Sequence, residues 1–373
     1  MIIKLVMLVV QMALVVPVQT LYGYIASGDE GTKQHFAHVG FVGGFLMRML
    51  KAPRAVGFVE DSLVSRALMA GAGRLSAFKL RNAVADTSRG IWFNNNPRNH
   101  VLLVIHGGGF VSGTPWQVVP HSLEIAKEYE AIAHKPLAVL AIKYPLCPEY
   151  SFKHILDTCL DAYNHLLDLG YTKISISGDS AGAHAALNLI SCLKQEHPHL
   201  IQPYSAIAYC PWVDPFVSVL PTSFGASYDV SRFDFLSIDG SRYMASRVAS
   251  TLDRGSVDNV SLNHDDLQKK LVPLLWEEDE NLLSCIPDAG GLFVLYGGGE
   301  TLTGVIDAFV DKLDASVSRT CAAPDSSYTS KVVKRSRHPY MPHDFNFLFF
   351  DSIGPGKVAA IKAIRESAEF LAN

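Results

Sequence analysis

A serine between two glycines, in Gly178-Asp179-Ser180-Ala181-Gly182, follows a short run of β-type alternation and precedes a stretch with helical spacing. A serine that only caps a helix needs no glycine on either side of it. A nucleophile does. At a sharp strand-to-helix turn its backbone is strained, the neighbours two residues away must lack bulk, and the hydroxyl stands exposed at a helix N-terminus. The pentapeptide predicts such an elbow, with Ser180 as nucleophile and the N–H of Ala181 aimed at any oxyanion formed there. Taken alone, the pentapeptide leaves a helix-capping serine as the competing reading.

A second glycine motif, His106-Gly107-Gly108-Gly109-Phe110, also follows an apolar run. Consecutive glycines let the backbone approach a substrate closely and present several N–H groups to it. Gly107, Gly108 and Gly109 are therefore candidate oxyanion-hole donors alongside Ala181. The alternative is a phosphate-binding loop. Neither G-x-G-x-x-G nor a following Lys-Ser or Lys-Thr is present to support that. His106 reads as a residue that holds the loop by side-chain hydrogen bonds, rather than as an acid or base.

These motifs need elements to hold them. Apolar runs at 101–105, 137–143, 173–177, 204–210 and 292–296 suit strands buried on both faces of a parallel sheet. Helical patterns at 120–134, 152–169, 181–193 and 302–317 lie between them, and 357–371 should cover the sheet at the end. This is the rhythm of an α/β domain. The stretch from about 216 to 289 breaks it. That stretch carries the solvated acidic run Glu277-Glu278-Asp279-Glu280 and reads as a cap folded over the carboxyl edge of the sheet. Residues 28–75 are expected to contribute to the same cap.

Together the motifs resemble the hormone-sensitive-lipase-like branch of the α/β-hydrolases, from about Trp92 to the C-terminus. His-Gly-Gly-Gly and Gly-Asp-Ser-Ala-Gly both match. Tyr144-Pro145-Leu146-Cys147-Pro148-Glu149 matches the intervening Tyr-Arg-Leu-Ala-Pro-Glu except at Arg and Ala, and Pro211-Trp212-Val213-Asp214 matches Pro-Trp-x-Asp. The resemblance implies an α/β-hydrolase fold: a mostly parallel central sheet with helices on both faces and a cap. It also implies the chain order serine, acid, histidine. The acid then falls in the loop after 292–296, where Glu300 stands in place of the usual Asp, with Asp307 as rival. The base falls after a last strand expected at 329–333. There His343-Asp344-Phe345 matches His-x-Phe, with His338 as rival. The basic cluster Lys331, Lys334, Arg335 and Arg337 reads as a strand rim.

The implied activity is serine ester hydrolysis without a cofactor. Within this branch the chain looks most like the fungal steryl acetyl hydrolases, membrane enzymes that remove acetyl groups from sterols. Arylacetamide deacetylases share the layout. The expected partner is thus an apolar ester. Phe224, Tyr228, Phe233, Phe235 and Tyr243 in the insertion suit one and equally suit an ordinary cap core. A general carboxylesterase or lipase, and a non-catalytic receptor on the same fold, are the competing functions.

The 373 residues can bury a large core, and a net charge of −4 gives no argument for nucleic acid. None of the six cysteines forms a C-x-x-C pair and no metal-ligand spacing stands out, so buried free thiols and no metal are expected. Residues 5–26 hold only five polar side chains, those of Gln11, Gln19, Thr20, Tyr22 and Tyr24. That is enough apolar length for a membrane span of about 20 residues. The reading for 1–27 is an uncleaved anchor in the endoplasmic reticulum membrane with a lumenal body. Lys4 before the segment, Asp29 and Glu30 after it and the sequon Asn259-Val260-Ser261 are compatible with that. A cleaved signal with secretion, or a soluble helix, are the alternatives. Residues 39–50, short and glycine-rich, read as a cap or membrane-surface segment.

Overall fold

The computed structural model describes residues 7, 10–26, 29–55, 75, 78, 84–93, 100–217, 233–251, 279–321, 332–349 and 352–373. Among them, eight strands form one sheet: β1 (Ala85–Asp86), β2 (Gly90–Phe93), β3 (His100–Ile105), β4 (Leu137–Ile142), β5 (Lys173–Asp179), β6 (Ala206–Tyr209), β7 (Leu292–Gly297) and β8 (Val333–His338). Their order is β1-β2-β4-β3-β5-β6-β7-β8. The β1–β2 and β2–β4 pairs are antiparallel and the other pairs parallel.

Alternation along the central strands splits the core in two. Val101, Leu103 and Ile105 of β3, with Leu292, Val294 and Tyr296 of β7, face one side. There they meet α4 (Phe152–Asp168), α5 (Ala181–Glu196) and α8 (Thr303–Cys321). Leu102, Val104, Phe293 and Leu295 face the other, against α3 (Val119–Ala133) and α10 (Pro355–Ala372). Burying both faces is why these strands read as continuous apolar runs. Each fully buried large aliphatic side chain stabilises the fold by about 1.5–3 kcal/mol.

The N-terminal region packs α1 (Val16–Ala26) on α2 (Glu30–Ala55), and α2 breaks at Gly40, where φ is 73°. Within the expected surface segment 39–50, Val39 and Met47 are buried in the core of the α10 face, so part of that segment is body, while Phe41 is exposed. On α1, Val18, Leu21 and Ile25 face outward. Among the described residues, no helix is long and apolar enough to cross a membrane. Residues 1–6, 8 and 9 lie outside them. So do 56–74, 218–232 and 252–278 of the expected cap segments, with Phe224, Tyr228, Glu277, Glu278 and the Asn259 sequon.

Two features depart from the sequence reading. Of the last strand expected at 329–333, residues 329–331 lie outside the described residues, and the described strand starts only at the end of that range and runs over Val333–His338, which carries Lys334, Arg335 and Arg337. An edge strand pairs on one side only and tolerates charge along it, so no apolar run marks it. The short β1 and β2 extend the opposite side of the sheet and were not anticipated. The other described insertion elements are α6 (Ile238–Ala249) and α7 (Asp279–Ser284), and a short α9 (Phe345–Leu348) follows β8.

Candidate active site

The candidate site forms beyond the carboxyl ends of β3, β5, β7 and β8, the edge where open α/β sheets place their chemistry. Ser180 sits between β5 and α5 at φ 52°, ψ −117°. A non-glycine residue held there costs about 1–3 kcal/mol. The turn is closed by Ser180 N–H donating to the Tyr209 carbonyl at 2.9 Å and Trp212 N–H donating to the Ser180 carbonyl at 3.1 Å. Gly182 packs against the carbonyls of Ile105 and His106, and Gly178 against the Gly182 backbone, so neither position has room for a Cβ. The two glycines thus press the elbow onto the end of β3. Phe110, Cys210 and Asp344 also have positive φ, which gathers backbone strain around the site.

Asp179 has a use of its own, not foreseen from the sequence. Its Oδ1 accepts the Gly107 N–H at 2.9 Å, tying the glycine loop to the elbow. The Gly107 N–H is thereby engaged, so Gly107 drops from the candidate oxyanion donors. The N–H groups of Gly108, Gly109 and Ala181 donate to no described residue. His106 holds the loop as expected. Its Nδ1 pairs with the Gly107 carbonyl at 2.8 Å, its ring stacks on Tyr144 with centroids 4.1 Å apart, and the Tyr144 hydroxyl donates to the His106 carbonyl at 2.6 Å. Burial pulls the His106 imidazole down to about 4, which keeps it neutral.

Of the two acid candidates, the fold brings Glu300 to His343. Glu300 is fully buried after β7. Its Oε1 accepts the Gly297 N–H at 2.8 Å, and its Oε2 accepts from His343 Nδ1 at 2.5 Å. Burial raises the Glu300 carboxyl above its ordinary range, and the His343 contact works against that rise. Asp307 instead accepts the Tyr296 hydroxyl and pairs with Arg337 at 3.7 Å. His338 is the last residue of β8, and its Nε2 pairs with Glu366 at 3.2 Å.

The surroundings of His343 are crowded with carboxylates. Its Nε2 lies 3.4 Å from Asp344 Oδ2, while the Ser180 hydroxyl has no hydrogen-bond partner among the described residues. Burial by itself would lower the imidazole. Asp344, Glu300 and Asp234 outweigh it and hold His343 well above the ordinary histidine range. Burial raises the Asp344 carboxyl to about 6, and its Oδ1 has no partner among the described residues. The Cys210 thiol accepts the Asp344 N–H at 3.3 Å and is itself pushed well up by burial.

Cys210, His343 and Asp344 bring one ligand atom each within 4.8 Å of one another, as do Cys192, Glu196 and His197. Sequence spacing hides the first group, because Cys210 lies far from the other two in the chain. Cys147, Cys159, Cys210 and Cys285 are buried thiols outside any disulfide, and Cys192 is half-buried. A cleft of about 490 Å³ lined by Ala37, His38, His338, Met341 and Pro355 is separate from Ser180, Glu300 and His343.

The insertion meets the site through α6. Met244 packs directly on Gly109, leaving no room for a Cβ there. Trp212 Nε1 donates to Ser241 at 2.6 Å. Just before α6, the Phe235 ring lies 5.6 Å from that of His343, and Phe233 stacks on His35 of α2 at 4.6 Å.

With this geometry in place, comparison with known proteins assigns a family. The model of a family described as steryl acetyl hydrolase matches residues 60–335, most of the chain. The chain belongs to the steryl acetyl hydrolase family. It is also similar to the carboxylesterase/phospholipase LipF of Mycobacterium tuberculosis, 34% identical over 157 residues, which are 41% of this chain and 39% of the relative. An acetyl-hydrolase of Streptomyces hygroscopicus is 31% identical over 115 residues, 30% of this chain and 36% of the relative. The match thus spans about two fifths of the length of each of these two relatives. A bacterial esterase of the hormone-sensitive lipase family superposes with a TM-score of 0.55 at 22% identity, over 80% of this chain and 89% of the esterase. This agrees with the α/β-hydrolase fold expected for the steryl acetyl hydrolase family.

Proposed function

We propose that the protein is a carboxylic ester hydrolase in which Ser180 attacks the ester carbonyl, His343 is general base and then acid, and Glu300 orients the imidazole. The observation that carries this is the 2.5 Å contact between His343 Nδ1 and the buried Glu300 carboxylate, at the same carboxyl edge of the sheet as a serine strained at the head of a helix. Glu300 fixes the tautomer that leaves Nε2 free to accept a proton, and it stabilises the imidazolium that results. Nε2 turns from Asp344 to the Ser180 hydroxyl as substrate enters. Ser180 Oγ then forms a bond to the carbonyl carbon while its proton passes to Nε2. The N–H groups of Gly108, Gly109 and Ala181 receive the oxyanion, and losing one such donor costs about 3–4 kcal/mol. Collapse expels the alcohol with the proton from Nε2. Water, deprotonated by the same nitrogen, then releases the acyl group and regenerates Ser180.

The proposed substrate is a short acyl ester, first an acetate, of a bulky apolar alcohol such as a sterol. The family supports this, and so do Phe235 and Met244 of the cap, which bring apolar side chains against His343 and Gly109. We also propose that 28–75 and 216–289 act as a cap over the site. The N-terminal segment is proposed to hold the protein at the endoplasmic reticulum membrane, supported by the outward-facing Val18, Leu21 and Ile25 of α1. An acyl series on one sterol tests the substrate. Each methylene that no longer fits should cost about 1–3 kcal/mol in the transition state, so turnover should fall steeply from acetate to octanoate. Equal rates on sterol acetate and sterol oleate would replace this reading by a general lipase.

A further inference from the structure

We infer that Asp234, contributed by the cap insertion, is a positioning residue that holds the acid loop and the base loop in register. This rests on the Ser180–His343–Glu300 reading and goes beyond it, because Asp234 touches neither Ser180 nor the substrate carbonyl.

Asp234 is fully buried, although it lies in an insertion far from both loops in sequence. Its two oxygens divide between the loops. Oδ2 accepts the N–H of Thr301, the residue after Glu300, at 2.6 Å, and Oδ1 accepts the N–H of His343 itself at 3.1 Å. One carboxylate therefore spans the loops that follow β7 and β8. The same piece of cap makes two further contacts. Thr301 Oγ1 donates to the Leu236 carbonyl at 2.7 Å, and the Phe235 ring lies against His343. Carboxylates accepting backbone N–H groups form the stronger class of hydrogen bond, and this one is shielded from water. The groups facing His343 are Glu300, Asp344, Asp234 and, more distantly, Asp179, with the Cys210 thiol against Asp344. The Asp234 charge adds to those that favour the imidazolium, so it sets both where the base stands and how readily it holds its proton.

Asp234→Asn keeps the volume but can accept only one of the two N–H groups, and it removes the charge. The expected result on a short p-nitrophenyl ester is a fall in kcat of up to about 100-fold. KM should change by less than about threefold, since remote binding groups are untouched. The acid limb of the pH profile should move down by about one unit, because the lost carboxylate no longer favours the imidazolium. Ser237→Ala serves as control. It removes the side-chain cap that accepts the Gly240 N–H at 3.0 Å and loosens α6 without touching Asp234, so its kcat and acid limb should match the wild type. Unchanged kcat and acid limb in Asp234→Asn would overturn the inference. So would an equal loss in Ser237→Ala, which marks general loosening of the cap. If Asp234→Asn does not fold, Asp234→Glu takes its place: kcat should fall with the acid limb in place, and unchanged kcat overturns the inference. Ser180→Ala separates this from the reading beneath it. Turnover surviving in Ser180→Ala removes the hydrolase mechanism, whereas its loss beside a normal Asp234→Asn removes only the role of Asp234.

Discussion

Replacing Asp344 by Asn removes the carboxylate nearest to His343 Nε2 while keeping the shape of the side chain. At 3.4 Å, two unit charges in an effective dielectric of about 20 interact by about 5 kcal/mol, equivalent to about 3.6 pH units. That is a ceiling. The Asp344 side chain is 16% exposed, its carboxyl titrates near 6, and its charge is shared between two oxygens. A shift of about 1–2 units is the working expectation. The sign follows from the chemistry. In the proposed mechanism His343 must be neutral to accept the Ser180 proton, so activity should be lost as pH falls through its pKa. Asp344 raises that pKa, and its removal lowers it. The wild type should therefore be most active on the alkaline side. Asp344→Asn should carry its acid limb to lower pH, with the alkaline plateau of kcat within a few-fold of the wild type. The assay is kcat/KM for a short p-nitrophenyl ester from about pH 5 to about pH 10. An acid limb that stays in place or moves up would refute the assignment of Asp344 as the group that tunes His343. Asp344 and Asp234 are told apart by the plateau, which should fall only when Asp234 is changed.

The remaining expectations concern the acid and the N-terminus. Glu300→Gln should lower kcat by up to about 10⁴-fold while Asp307→Asn stays within a few-fold, because of these two carboxylates Glu300 pairs with His343 and Asp307 with Tyr296; steady-state kinetics of the two variants settle the ranking, and the reverse order would move the acid to Asp307. The full chain should sediment with membranes and resist carbonate extraction through residues 5–26. A soluble enzyme whose mature N-terminus lies beyond residue 20 would establish a cleaved signal instead.

The sequence alone determined the elbow and the glycine loop, because both rest on backbone demands that few residue types meet. Gly178 and Gly182 are legible since a Cβ at either would strike backbone, and Ser180 since it stands between them. The central strands were legible because burial on both faces leaves apolar runs. Glu300 and His343 came from motif and chain order, and Asp307 and His338 could be ranked below them but not excluded. Only the tertiary structure placed Asp307 beside Tyr296 and Arg337, and His338 beside Glu366. The edge strand Val333–His338 escaped the pattern because a strand paired on one side can be charged. Gly107 was a plausible donor until Asp179 was seen to occupy its N–H. Asp234, Cys210 and Asp344 carry no motif that marks them. Their contacts come from where the insertion and three strand ends meet in space, and spacing along the chain does not encode a meeting of side chains from elements this far apart.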